Sequence, residues 1–241
     1  MMDYGIQLFS VRDHIDEFGL EATLKAVSEI GYKFVEFAGF GDTPAEKVKE
    51  WLDKYGLYCS SNHCGIEGFI EDFEGTVKFH KTIGNKNHVI AWCETDTTAE
   101  LDAFVAFCNE YGPKLEAEGL SLHYHNHDGE FYVREDGQMT YTVLENRTNL
   151  KFETDTYWLY AAKTNPVMVL DRLQDRIQFI HVKDGSADGQ PSPLGHGTAP
   201  VAAVVAKAKE LGLTMIVESE TCNPSGMEEA RICFEYLKSL E

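Results

Sequence analysis

The chain has 241 residues, with 40 acidic and 21 basic side chains, a formal charge of −19 and 43% hydrophobic residues. That apolar share supports one large core, and no linker or low-complexity stretch divides residues 1–241, so one domain is expected. So negative a surface repels polyanions, which excludes nucleic acid as a partner and favours a neutral substrate over a strongly anionic one.

The first apolar run is Tyr4 to Phe9. Charges at Asp3, Arg12, Asp13, Asp16 and Glu17 keep the first twenty residues from forming a signal-peptide core. A stretch with helical spacing, Glu21 to Ile30, leads to the run Phe34 to Phe37, and a second, Pro44 to Tyr55, leads to Leu57 to Ser61. His88 to Trp92 follows, then helical Leu101 to Ala117, then the runs Leu120 to Tyr124, Leu150 to Phe152 and Ile177 to Val182. Gly185 to Pro200, rich in Gly, Ser and Pro, reads as a functional loop, and helical Val201 to Leu211 precedes the last run, Leu213 to Val217. No run approaches membrane-spanning length. Cys59, Cys64, Cys93, Cys108, Cys222 and Cys233 lack C-x-x-C spacing and read as reduced, so a cytoplasmic protein with no membrane partner is expected.

Eight strand-like runs alternating with helices about every thirty residues match an α/β fold, a single (β/α)8 TIM barrel, whose usual length is roughly 250 residues. An open doubly wound sheet would need a Gly-rich turn after the first strand, and Leu8-Phe9-Ser10-Val11-Arg12-Asp13 contains no glycine. In a barrel, chemistry gathers where strands run out into the following loops.

Alternation along Leu120 to His127 places His123, His125 and His127 on one strand face. Each buried imidazole needs partners for both ring nitrogens, so a cluster at a strand end points to a site rather than to packing. On the sixth strand Glu153 and Asp155 share parity, and Asp155 either caps the next helix or faces His125. The seventh presents His181 with Lys183, the eighth Glu218 with Glu220, and a carboxylate inside a barrel demands a partner or a cation. His125, Asp155, His181 and Glu218 thus fall on one rim as candidate metal ligands. Two imidazoles and two carboxylates suit Mn2+, Co2+, Zn2+ or Fe2+ better than Ca2+. Arg12 and Lys183 are candidates for a local anion site, and of the aromatic residues near the rim Trp92 and Trp158 are the candidates for packing against a sugar ring.

Gln7-Leu8-Phe9-Ser10-Val11-Arg12, Gly31-Tyr32-Lys33-Phe34-Val35-Glu36, Tyr124-His125-Asn126-His127-Asp128, Asp155-Thr156-Tyr157-Trp158, His181-Val182-Lys183-Asp184 and Val217-Glu218 carry a family resemblance. The chain resembles the xylose-isomerase-like barrel superfamily, and within it bacterial sugar phosphate isomerases/epimerases. The resemblance implies a divalent ion held by His125, Asp155, His181 and Glu218, with a keto-sugar, polyol or cyclitol bound over it. Manganese is the foremost candidate, with Co2+, Zn2+, Fe2+ or Mg2+ as alternatives, and a homo-oligomer is implied. Gln7, Arg12, Trp92, His127 and Trp158 are expected to contact substrate. So is His196, which stands where related proteins often carry the acidic residue of Gly-Glu-Gly. Ketose 3-epimerases of this superfamily use a glutamate on the fifth strand where this chain has histidine. The His-rich strand is more similar to inosose dehydratases and to lyases acting on 3-keto-glycosides.

These activities share proton abstraction next to a carbonyl, which needs a stabilised enolate and a base within hydrogen-bond reach. Glu36, Glu218, His63 and His127 are the candidate bases. Glu218 is expected to serve as ligand and base, with His63 or Lys183 handling the second proton, while Glu36 is alternatively an interior salt bridge to Lys183. The expected function is a metal-dependent sugar isomerase or epimerase, with a dehydratase or lyase as alternative. A non-catalytic sugar-binding barrel and an endonuclease IV-like protein are the remaining classes, and the charge of −19 opposes the last.

Overall fold

A computed structural model describes residues 2–241. Eight parallel strands close into a barrel in sequence order: β1 Gly5–Gln7, β2 Phe34–Phe37, β3 Tyr58–Cys64, β4 Asn87–Ile90, β5 Ser121–His125, β6 Lys151–Asp155, β7 Ile177–Val182 and β8 Thr214–Val217, with β8 paired back to β1. Each strand coincides with one of the eight apolar runs, and the helices packed outside include the expected Leu20–Ile30, Ala45–Tyr55 and Val201–Leu211. The helix expected from Leu101 starts earlier, at Thr98, because Thr97 and Glu100 form a reciprocal capping box that satisfies two orphan backbone donors. No helix among the described residues is long and apolar enough to cross a membrane.

Most of the core lies between strands and helices, but Phe34, Val89, Phe179 and Ile216 form a separate apolar plug inside the barrel. Gly5 lines this interior with no side chain because a Cβ there would meet the Phe34 ring. Since residues two apart share a strand face, one step up from the plug leads from Phe34 to Glu36, from Phe179 to His181 and from Ile216 to Glu218. The same step on β5 leads from His123, whose ring lies 4.6 Å from that of Phe179, to His125. The barrel is therefore apolar at its base and charged just above. Two irregularities flank that charged layer, one where β2 pairs β3 beside Glu36 and one where β6 pairs β7 beside Glu153. Bulges of this kind re-aim side chains near functional sites.

The loop after β7 is organised by one carboxylate. Asp184 accepts hydrogen bonds from the backbone N–H groups of Gly185, Gly195, Gly197 and Ala199 at 2.8–3.1 Å. Gly197 must lack a side chain, because a Cβ there would run into Asp184 and the backbone of Gly185.

Burial pushes the His80 imidazole down to about 4 and that of His123 to about 3. Both therefore stay neutral in the folded chain, where an exposed histidine titrates near 6.5. Between those values and 6.5 the unfolded chain binds more protons, so stability is complete above pH 6.5 and falls as the pH drops through the window. His80→Gln is expected to lose about 2 kcal/mol less than the parent between pH 7 and pH 4.5. Urea midpoints at the two pH values measure this, and equal losses in both proteins would refute it.

Candidate functional site

The charged layer is a contiguous network. His181 stands at its centre and engages carboxylates at both ring nitrogens, with Nε2 2.6 Å from Glu36 and Nδ1 3.2 Å from Glu218. His63 Nε2 lies 2.5 Å from Glu153 and 3.2 Å from Glu36, and His125 Nδ1 lies 3.3 Å from Glu153. Gln7 and Ser61 donate to Glu36 at 2.8 and 2.5 Å, fixing that carboxylate from the opposite wall. Lys183 reaches Glu218 at 3.2 Å and also contacts Glu220.

Asp155 divides its two oxygens between separate tasks. Oδ1 accepts from the N–H groups of Tyr157 and Trp158 at 2.8 and 3.0 Å and so caps the helix Thr156–Ala161. Oδ2 is buried without a hydrogen bond, 3.7 Å from Lys183 Nζ and 3.9 Å from His181 Nδ1. An unpartnered carboxylate oxygen in the interior is costly unless a cation is close. Ligand atoms of His125, Asp155, His181 and Glu218 lie within 4.8 Å of one another, as do those of His63, His125, Glu153 and His181. His181 faces the first set through Nδ1 and the second through Nε2. A buried cluster with this mixture of imidazole and carboxylate can hold a divalent ion.

Proton positions follow from the same contacts. Burial pushes Glu36 up, yet His63 and His181 outweigh it and hold its carboxyl well below the usual range. Burial lowers His63, and the charges of Glu36 and Glu153 more than reverse that, lifting it to about 10. His181 is raised in the same way, against its burial, by Glu153, Glu218 and Glu36. His125 is driven well below its ordinary value, first by burial and then by its cationic neighbours His181 and His63 despite the Glu153 hydrogen bond. Burial raises Asp155 to about 6 although Lys183 opposes it, and Glu218 is lowered because Lys183 and His181 overcome its burial. Above the network a cavity of about 480 Å³ opens to solvent, with His63, His125, His127 and Glu218 in its lining.

The family model for the xylose isomerase-like TIM barrel matches residues 24–240. The chain belongs to that family. No curated protein matches it in sequence. Among solved structures, a sugar phosphate isomerase/epimerase from Parabacteroides distasonis ATCC 8503 is 21% identical with a TM-score of 0.85, over 97% of this chain and 92% of that one. The probable 3-DHS dehydratase AsbF, involved in petrobactin synthesis in Bacillus anthracis, is 14% identical with a TM-score of 0.77, over 98% and 99%. An L-ribulose 3-epimerase is 14% identical with a TM-score of 0.74, over 100% and 94%. At these identities the likeness establishes a shared xylose isomerase-like barrel.

Within this xylose isomerase-like barrel the expected residues divide. Trp92 joins His63, His125, His127 and Glu218 in the cavity wall, and Asp155 and His181 are fully buried members of the network they border. Trp158 lies beside His127, with Lys183 4.7 Å from its ring. Gln7 is not positioned to contact substrate, because it is fully buried, its amide donates to Glu36 and its carbonyl accepts from Phe9 N–H. Glu36 pairs with His181 rather than with Lys183. Lys183 is neither an anion site nor a proton-transfer group at the cavity wall, since Asp155, Glu218 and Glu220 surround its buried ammonium. Arg12 donates to the carbonyls of Phe9 and Glu220 and lies over the Phe9 ring, which commits its guanidinium. His196 is exposed and absent from the cavity lining, because its loop follows Asp184.

Sequence reasoning passed over Glu153, Asn126 and Glu130. Glu153 contacts His63, His125 and His181, and its parity with Asp155 was the available signal. Asn126 accepts from Asp155 N–H at 3.1 Å and donates to its carbonyl at 3.3 Å, clamping the ends of β5 and β6. Glu130 accepts from Tyr124 and from His127 N–H, fixing the turn that carries His127. Neither of the last two differs in sequence from an ordinary polar turn residue.

Removing the ammonium of Lys183 leaves Asp155 and Glu218 with His181 as their one remaining cationic neighbour within 4 Å among the described residues. Lys183→Met is expected to destabilise the metal-free chain by about 3–5 kcal/mol, the typical loss when one partner of a buried ion pair is deleted. Denaturant unfolding in chelator measures it, and a change below about 1 kcal/mol would show that water already solvates these carboxylates.

Proposed function

We propose that this protein is a divalent-metal-dependent sugar isomerase or epimerase that abstracts a proton next to the carbonyl of a keto-sugar or cyclitol. The observation carrying this reading is the unpartnered Asp155 Oδ2, buried beside His125, His181 and Glu218 beneath a cavity at the C-terminal ends of the strands. These four residues would hold the ion, and their donor set suits Mn2+ along with Co2+, Zn2+ or Fe2+. Bound there, the ion would supply Lewis-acid polarisation of the substrate carbonyl and a neighbouring hydroxyl.

The protein's own groups supply the rest. Glu36 accepts the Nε2 proton of His181 and thereby leaves Nδ1 facing Asp155 and Glu218. Glu218 and His63 belong to the network and also line the cavity, so the proton transfers are assigned to them. Glu218 takes the proton from carbon, and His63, braced by Glu153, delivers the second proton. Glu36 is fully buried and serves as a positioning residue. Trp92 and His127 form the wall against which the sugar packs, with Trp158 beside His127. Likeness to a named sugar phosphate isomerase/epimerase and to an L-ribulose 3-epimerase supports the reading.

Elimination is the second reading. His63 is held 2.5 Å from Glu153 at the cavity wall, where a proton donor would meet a departing hydroxyl, and the AsbF dehydratase shares the barrel. Product analysis separates the two, because elimination yields an unsaturated carbonyl product and isomerisation does not.

Plasma mass spectrometry of the purified chain is expected to find about one Mn, Co, Zn or Fe, lost in Asp155→Ala and in His181→Ala. Excess metal at 100 times Kd should stabilise the parent by about 2.7 kcal/mol. No bound metal after reloading with Mn2+ and Co2+ would remove the mechanism. With metal saturating, His63→Ala and Glu218→Gln should each reduce kcat about 10²–10⁴-fold. Glu36→Gln should instead weaken metal affinity about 10–100-fold while turnover at saturation largely survives. An inactive Glu36→Gln beside an active His63→Ala would reverse the assignments.

A further inference from the structure

The cavity over the network is one of two adjoining hollows. Trp92 and His127 line it, and both also line a larger hollow of about 690 Å³ between the loop after β4 and the turn after β5. Trp92 is 64% exposed, a large apolar surface left in water where the two spaces meet. Sugar rings present C–H faces that pack on such a surface.

Charge in both hollows is mainly negative, the protonated His63 in the first being held by Glu36 and Glu153. Glu67, Glu218 and Glu220 line the first, and no lysine or arginine does. Glu94, Asp96, Asp128 and Glu135 line the second, where the single basic residue is Arg134. Its guanidinium is committed to the Thr95 carbonyl and to Asp136. Neither Lys183, enclosed by three carboxylates, nor Arg12, bonded to two carbonyls, is free to meet an anion. A phosphate group in the second hollow, away from the ion site and His63, would face carboxylates with no cation but the engaged Arg134, an arrangement that selects against anionic ligands.

We infer that the site takes an unphosphorylated, uncharged substrate of two units, a keto-sugar or cyclitol joined to a second sugar, with the reacting unit over the network and the second unit stacked on Trp92 in the adjoining hollow. The inference rests on the metal-dependent reading above and specifies its substrate class. A single sugar unit over the network would leave the second hollow empty and most of the indole in water.

The test is calorimetric titration of the Mn2+-loaded chain with fructose, fructose 6-phosphate and lactulose, a fructose carrying a galactosyl unit, with indole fluorescence followed in parallel. Lactulose should bind at least about tenfold more tightly than fructose and shift the indole emission, and fructose 6-phosphate should bind at least about tenfold more weakly. Trp92→Ala and Val133→Trp, the latter filling the second hollow from an exposed position, should each bring the lactulose-to-fructose affinity ratio to about one. Equal affinities for fructose and lactulose, or tighter binding of the phosphate, would overturn the inference and leave the metal-dependent reading intact. No binding of any of the three by a chain shown to hold Mn2+ would overturn both.

Discussion

Four carboxylates, those of Glu36, Glu153, Asp155 and Glu218, are buried inside the barrel, and the arrangement above the apolar plug follows from how their charge is met. Taking an ion out of water costs several kcal/mol even after relaxation, so each carboxylate needs a cation or several donors at close range. Protonated His63 and His181 answer Glu36 and Glu153, and Lys183 answers Glu218 with Asp155. Glu153 and Asp155 each keep a buried oxygen with no hydrogen bond, and of the two it is Asp155 whose proton affinity is raised. The weakest point in the compensation coincides with the point best placed to receive a cation.

His181 connects the two halves of that compensation. Its Nε2 proton belongs to the Glu36 side and its Nδ1 to the Glu218 side. It can offer a lone pair toward Asp155 and Glu218 only by releasing the Nδ1 proton, which couples loading of the site to proton release. The barrel base keeps this exchange precise, because Phe179 and Ile216 sit one step below His181 and Glu218 on the same strand faces. Packing and electrostatics are therefore stacked along one axis, the first fixing the strand positions that the second requires.

Much of this was legible because the period of a strand is two. Once the runs were recognised as parallel strands of a barrel, His125, His181 and Glu218 had to rise from the interior face toward the rim, and Asp155 followed from its position at a strand end. What remained hidden depends on register between strands rather than on order within them. Glu36 faces His181 across the barrel, with a register irregularity beside it, a pairing no single strand discloses. Gln7 illustrates the same limit, since a polar residue at a strand end can face a substrate or brace a neighbouring carboxylate, and only the closed barrel shows the second. Loop residues were less legible still. Trp92 and His196 both follow strands, yet one lines the cavity and the other faces water, because the paths of their loops are set by contacts distant in sequence.

The Asp184 staple bears on how such a rim can diversify. Four main-chain amides, and no side chain of the loop, meet that carboxylate. Gly185, Gly195 and Gly197 have no room for a side chain, Gly189 takes a positive φ and Leu194 is buried, but the exposed His196 is held by none of these constraints. Descendants of this sequence can exchange the outward side chain at His196 without redrawing the scaffold, so new surface chemistry is open to them by single replacements while the inherited shape persists.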